Sequence, residues 1–371
     1  MSAPVPAAVL TVDLGAVAAN YRRLKQYVAP AECAAVVKAD AYGLGALRVA
    51  PALAKAGALT FFVAQPAEGA ALRRVLPRAA QIYVLNGFAD GEREAFEDER
   101  LAPVLNDLGQ VDRWSQFCRA RGAVLPAALH VDTGMNRLGL PALELSSLAR
   151  EPRRLHGIGL DLLLSHLACA DEPEHPLNRE QRAQFRGAQN ILPGTRASLA
   201  ASSGVFLGRD FHFDLVRPGV ALYGGNPLPG RPNPMAQVVG LKARILQVRD
   251  VDRGETVGYG ATHRFMRPCR VATVGVGYAD GFLRSSSNRG CAVLGGVPAP
   301  IVGRVSMDLI TLDISDAPAA LQRPGETVDL IGPGRMIDDV AHDAGTIAYE
   351  ILTSLGPRYE RRYVDSSASE A

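Results

Sequence analysis

Short apolar runs recur along the first two-thirds of the 371-residue chain, at 33–38, 59–64, 81–86, 102–106, 127–132, 158–166, 196–202 and 214–223. Runs of this kind mark parallel strands covered on both faces, and each parallel pair needs a crossover, usually a helix. Most of the intervening segments have helix-compatible composition, as at 45–56, 108–121 and 176–190. Eight strands with helices between them fit an α/β fold of the (β/α)8 TIM-barrel type better than an open sheet. An open doubly wound sheet is the alternative. No Gly-x-Gly-x-x-Gly follows the first strand, which weighs against a dinucleotide-binding version of it. A helix is also expected over 14–28, with Asp13 as its N-cap.

The pattern changes after Gly224-Gly225. The stretch Asn226-Pro227-Leu228-Pro229-Gly230-Arg231-Pro232-Asn233-Pro234 is dense in proline and reads as a linker. Beyond it lie segments rich in Val, Ile and Thr at 238–251, 270–276, 291–293, 300–314 and 327–331, punctuated by glycines. One helix is expected over 338–355. The division is therefore a barrel over 9–227 followed by a mainly β C-terminal domain over 228–371. The tail 366–371 is expected to be disordered.

Composition narrows the partners. Forty lysines and arginines against 38 acidic residues leave a net charge of +2, which makes no electrostatic case for nucleic acid or an anionic membrane. No window approaches 18 uninterrupted apolar residues, and the start, Met1-Ser2-Ala3-Pro4-Val5-Pro6, lacks the basic region of a signal peptide. The five cysteines (Cys33, Cys118, Cys169, Cys269, Cys291) form no Cys-x-x-Cys pair, so neither a disulfide frame nor a zinc site is indicated, and no metal is expected. The expectation is a cytoplasmic protein.

Chemistry gathers at strand ends. Lys38 closes the run Ala34-Ala35-Val36-Val37 and precedes Ala39-Asp40-Ala41-Tyr42-Gly43-Leu44-Gly45. In a barrel this end of the strand is where active sites are built. A desolvated lysine there loses its proton more easily and can form a Schiff base, whereas an ordinary one would snorkel to solvent. Asp132-Thr133-Gly134-Met135-Asn136-Arg137-Leu138-Gly139 follows the fifth strand, His166 closes the sixth, Ser202-Ser203-Gly204 follows the seventh, and Arg217-Pro218-Gly219-Val220 lies within the eighth. A barrel would bring these to one mouth, and a hydroxyl with backbone N–H groups near strands seven and eight suits a phosphate. Taken singly, each has an ordinary explanation: a strand-end histidine, a solvated loop arginine, a serine N-cap.

The segment Val37–Gly43 resembles the cofactor-lysine motif of the alanine racemases, pyridoxal-phosphate enzymes with a barrel and a C-terminal β domain. The resemblance runs the whole chain in order, through Asp132–Gly139, Ser165-His166, Arg217-Pro218-Gly219, Leu222-Tyr223-Gly224, Gly258-Tyr259-Gly260-Ala261-Thr262, Gly277-Tyr278-Ala279-Asp280-Gly281 and Gly303-Arg304-Val305-Ser306-Met307-Asp308. It implies that Lys38 holds pyridoxal 5'-phosphate covalently and serves as one catalytic base. Tyr42, Ser202, Gly219 and Val220 would bind the phosphate, and Arg217 would face the pyridine nitrogen. Arg137 would lie near the cofactor's phenolate oxygen and the substrate carboxylate. Tyr259, contributed by the partner subunit of a homodimer, would be the second base, with His166 nearby in the cofactor site. Tyr278, Met307 and Asp308 would line the substrate entrance, also from the partner. The implied reaction interconverts L- and D-alanine and supplies cell-wall precursors. A broader racemase acting on serine or another small amino acid, a same-fold decarboxylase and a non-catalytic cofactor-binding barrel are the competing readings.

Two departures from the family pattern stand out. Many members carry a carbamylated lysine two residues before the aspartate of the Asp132 motif; here it is His130, so His130, a chloride ion or water is left to support Arg137. A phosphate-contacting tyrosine is usual near the C-terminus, and alignment from Tyr349-Glu350 onward puts Pro357 in its place, with its hydroxyl lost.

Overall fold

The computed structural model describes residues 6–366. The tail expected to be disordered lies outside these residues apart from Ser366, as does the start of the chain.

Seven parallel strands follow one another in chain order. They run from Ala35–Val36 through Thr60–Val63, Gln81–Val84, Ala102–Leu105, Leu125–His130 and Ile158–Leu164 to Arg196–Ser198. The eighth, Leu215–Val216, pairs in parallel with Glu32–Cys33, the other half of the first strand. It is joined to the seventh by the Ala201–Arg217 bridge and the Arg217 N–H to Ala200 carbonyl bond of 2.8 Å. Hydrogen bonds from Ala34 N to Val216 O (2.9 Å) and from Val36 N to Pro218 O (3.1 Å) continue the seam, so the sheet closes into a barrel. Thr60–Val63 and Ala102–Leu105 are buried at every position, which is why these strands read as continuous apolar runs.

Local signals set several helices. Leu14–Val28 starts at Asp13, whose carboxylate accepts from Ala16 N at 3.0 Å. Leu108–Arg121 is capped by Asp107, which accepts from Gln110 N at 2.7 Å.

Three elements differ from the sequence expectation. The eighth strand stops at Val216, because Pro218 has no N–H to continue a ladder and the chain turns into the short 3-10 segment Val220–Tyr223. Arg217–Val220 therefore follow the strand rather than lie in it. The single C-terminal helix is two, Ile337–Ala344 and Ala348–Ser354, since Gly345 adopts φ 70° and ends the first. The segment 300–314 is likewise split into Val297–Pro300 and Ile310–Asp313, with the intervening loop carrying Met307 and Asp308.

The second domain is built on the long strand Val239–Val251. It pairs with Thr327–Ile331 on one side, with Ala8–Asp13 on the other and, beyond a bulge at Ile245/Gln247, with Cys269–Val274. Ala8–Asp13 thus sits in this sheet, not with the barrel it precedes. It also pairs in parallel with Glu360–Val364, so both ends of the described chain are locked into one domain.

Candidate active site

Lys38 leaves the first barrel strand partly buried at the barrel mouth. After it the chain makes one turn of left-handed helix: Ala39, Asp40, Ala41 and Tyr42 all have φ between 53° and 55°. Such a conformation costs an L-residue about 1–2 kcal/mol, and it persists because the surroundings fix it. Glu68 Oε1 accepts from Ala39 N at 2.6 Å, Asp40 Oδ1 accepts from Ala46 N at 2.7 Å, and Arg361 from the C-terminal strand donates to Gly43 O at 2.5 Å. The turn delivers the Tyr42 ring to a buried position against Tyr223, with centroids 4.8 Å apart. Strain of this kind concentrates at functional sites.

The Tyr42 hydroxyl lies against Gly219, where any Cβ would collide with it. Beside them Ser202 is buried, and its Oγ accepts from Gly219 N at 2.9 Å and Ala221 N at 3.2 Å. The Tyr349 hydroxyl reaches the Ser202 side chain, and its ring sits 5.8 Å from that of Tyr42. Three hydroxyls and two backbone N–H groups therefore converge. Tyr349 is the residue that sequence reasoning missed. Tyr349, the second residue of the last helix, is a candidate for the hydroxyl that the family pattern led one to seek at Pro357. Nothing local marks this tyrosine, because its partner Ser202 lies far back along the chain.

Lys38, Arg137, His166 and Val220 border one cavity of about 730 Å³, which also reaches Tyr349. A deeper recess of about 290 Å³ is shared by Lys38, His130, Arg137, His166 and Arg217, and no carboxylate lines it. Burial, then the Arg137 charge, lowers the Lys38 pKa, with Glu68 opposing. Arg217 is wholly enclosed; it donates to Ser198 Oγ and to the Ser165 carbonyl, and burial brings its pKa down to about 10, which leaves it charged at neutral pH. Burial and the neighbouring cations, Arg217 first, hold His166 down to about 3 and His130 to about 4, so both imidazoles are neutral.

The form of His130 follows from Asn106. The Asn106 Nδ2 donates both hydrogens to backbone carbonyls, Leu85 at 3.0 Å and Val104 at 2.9 Å. Its Oδ1 can only accept, so His130 Nδ1, 2.8 Å away, carries the proton and Nε2 is left as an acceptor. At the position where the family pattern has a lysine, this chain offers a neutral acceptor in a cationic recess. Asp132 shapes the neighbouring turn, its Oδ1 accepting from Gly134, Met135 and Asn136 N at 2.9, 3.0 and 3.1 Å.

Tyr259, Tyr278, Met307 and Asp308 are not brought to this cavity. They lie on the second domain, the first three exposed by 71%, 42% and 54%, and Asp308 is paired with Arg358 at 2.8 Å. The loops carrying Tyr278 and Met307 are tied together by Tyr278 N to Ser306 O (3.0 Å) and Ala279 N to Met307 O (2.9 Å). Among the described residues no helix is long and apolar enough to cross a membrane.

Comparison with known proteins agrees with this architecture. The family model "Alanine racemase, N-terminal domain" matches residues 12–227 and "Alanine racemase, C-terminal domain" matches 238–363. The chain is 55% identical over 357 residues to an alanine racemase of Rhodospirillum rubrum, covering 96% of each. It is 49% identical to a catabolic alanine racemase of Mesorhizobium japonicum, over 96% of this chain and 93% of that one. The crystal structure of alanine racemase from Bartonella henselae with covalently bound pyridoxal phosphate superposes with a TM-score of 0.92 at 44% identity, over 97% of this chain and 100% of that one. The chain belongs to the alanine racemase family of pyridoxal-phosphate-dependent isomerases.

Proposed function

We propose that the chain interconverts L- and D-alanine with pyridoxal phosphate held on Lys38, as a cytoplasmic homodimer whose product feeds cell-wall precursors. The observation that carries the reading is the meeting, around connected cavities, of a lysine with a lowered pKa and a cradle of hydroxyls and backbone N–H groups. The cradle fits a phosphate: Tyr42, Ser202, Gly219, Val220 and Tyr349 would hold it. Arg217 would face the ring nitrogen, and Arg137 would take the substrate carboxylate at the edge of the cationic recess.

When bound, the cofactor withdraws electrons from the α-carbon of the amino acid. Lys38 Nζ takes or returns the α-proton on one face. Racemisation needs a second acid/base group on the opposite face. Tyr259 is the candidate, and its exposed position on the second domain suits contribution to a partner's site rather than to its own chain's. Tyr278, Met307 and Asp308 would line the same entrance. With His166 neutral, Arg217 and Arg137 are the cations of this recess that would face a tyrosine brought in by the partner. The division at 227/228, with the second domain completing the partner's site, belongs to this reading.

Chiral analysis of alanine incubated with the purified protein tests it, together with the visible absorption of the bound cofactor. Both enantiomers should reach equal amounts, and Lys38→Ala should lose both the band and the reaction. Carbon dioxide release without inversion would favour a decarboxylase, and rescue of a D-alanine-requiring bacterium tests the biological role.

A further inference from the structure

Gln181 is fully buried on the inner face of the helix Pro176–Ile191. Its Nε2 donates to Thr133 Oγ1 at 3.2 Å and to the His166 carbonyl at 2.9 Å, and its Oε1 accepts from Ala168 N at 2.8 Å. The amide cannot be reversed, because a backbone N–H only donates and a carbonyl only accepts. The three partners come from two separate strand ends. Thr133 opens the turn that carries Arg137; residues 166–168 are the chain leaving the sixth barrel strand. Thr133 Oγ1 also shares a 2.8 Å hydrogen bond with Ser165 Oγ, and the Ser165 carbonyl takes Arg217 Nη2. One side chain thus links the turn of Arg137, the backbone of His166 and, through Ser165, the anchor of Arg217.

Space filling alone does not account for this choice. Leucine or methionine would fill the site with no polar group to satisfy, whereas a buried amide is tolerated only when paired. Here its pairing is with the two segments that must be held in register across the barrel mouth.

We infer that Gln181 is a positioning residue that fixes the Arg137 turn against the His166 strand end, and so sets where Arg137 meets the substrate carboxylate. The inference rests on the proposed role of Arg137, and the test separates the two. Holoenzyme kinetics are measured in both directions for Gln181→Leu, Thr133→Val, Gln181→Glu and Arg137→Ala. Misplacing a substrate-orienting group by an ångström costs up to about a hundredfold in rate, so Gln181→Leu should lower kcat/KM for alanine by roughly tenfold to a hundredfold, with KM raised because the group displaced holds the substrate carboxylate, while the cofactor's visible band is retained. Thr133→Val should shift KM in the same direction by less. In Gln181→Glu the carboxylate lacks donors until protonated, and burial raises its pKa, so kcat/KM should recover as pH falls, a response that lost packing would not give. Unchanged KM in Gln181→Leu and Thr133→Val, with a raised KM in Arg137→Ala, would overturn the inference alone. Unchanged KM in Arg137→Ala would overturn the carboxylate assignment and the inference with it. Should Gln181→Leu fail to fold, Thr133→Val and the pH response of Gln181→Glu decide.

Discussion

The Tyr42 hydroxyl occupies the space that a Cβ at residue 219 would need. Tyr42 cannot move aside freely, since its ring is packed against Tyr223 and Tyr349 at 4.8 and 5.8 Å. Gly219→Ala should therefore displace a hydroxyl from the proposed phosphate cradle or push apart the N–H groups of Gly219 and Ala221. Overpacking of this kind costs about 1–3 kcal/mol, which, if it falls on the bound state, corresponds to roughly fivefold to 150-fold weaker cofactor binding. Titrating the cofactor-free variant with pyridoxal phosphate, followed by visible absorbance, reads this directly. Affinity equal to the parent would remove Gly219 from the cradle.

Glu68 faces Lys38 across the left-handed turn. Its carboxylate raises the Lys38 pKa against burial and Arg137, and it also holds Ala39 N at 2.6 Å and Ala64 N at 2.7 Å. Glu68→Gln removes the negative charge, so the Lys38 pKa falls further. Cofactor attachment requires the neutral amine. Its rate against pH should therefore show a lower midpoint in Glu68→Gln than in the parent. A midpoint that stays put or rises would mean that Glu68 acts only as a cap.

Neutral His130 and His166 make the fold sensitive to acid. Each has a folded pKa, about 4 and about 3, below the unfolded value of 6.5. The unfolded chain binds protons that the folded chain excludes, so this stability is complete above about pH 6.5 and is lost as pH falls towards those values. The slope is up to about 1.4 kcal/mol per pH unit for each histidine. Urea midpoints measured from pH 7 to pH 4.5 should fall less steeply in His130→Gln than in the parent. Parallel slopes would show that His130 is not held neutral.

Arg217 keeps its charge, because its pKa, though lowered to about 10, stays above neutrality. If Arg217 faces the ring nitrogen as proposed, this fixed cation would disfavour protonation there and restrain the cofactor as an electron sink, which would limit transamination. Arg217→Glu reverses that preference. Pyruvate formed per racemisation event should rise, alongside a stability loss of about 1–3 kcal/mol from the unpaired Ser165 carbonyl. Unchanged partitioning in a folded variant would count against the restraint.

Legibility in the sequence followed the range of the forces involved. Leu14–Val28 is foreseen to the residue because its cap, Asp13, and its patterning are local, and the strands covered on both faces announce themselves as apolar runs. Ala8–Asp13 alternates clearly, but its partners Lys242 and Arg361 lie far along the chain, and nothing local says which sheet it joins. The left-handed turn at 39–42 contains no glycine; it is imposed by Glu68 and by the C-terminal strand. Tyr349 was hidden because its partner Ser202 lies far back along the chain, and Gln181 by its resemblance to a solvated helix position. What composition could not reveal were polar side chains whose meaning lies in partners from other segments.

Separation of Lys38 from Tyr259 within one chain gives the shared-site reading a decisive consequence. Lys38 borders the barrel cavity, while Tyr259 is 71% exposed on the second domain and does not line that cavity. If each site takes Lys38 from one subunit and Tyr259 from the other, Lys38→Ala and Tyr259→Phe are each inactive as homodimers. A mixed dimer has one site with both residues intact and one with both replaced. Random exchange makes about half the dimers mixed, so about a quarter of the parent's sites are restored. Mixing the two purified variants under conditions of subunit exchange, then assaying alanine racemisation, should recover activity towards that limit. Each variant carried through the same exchange alone provides the baseline. If the mixture stays at that baseline although mixed dimers are detected by mass, the two bases are not shared between subunits.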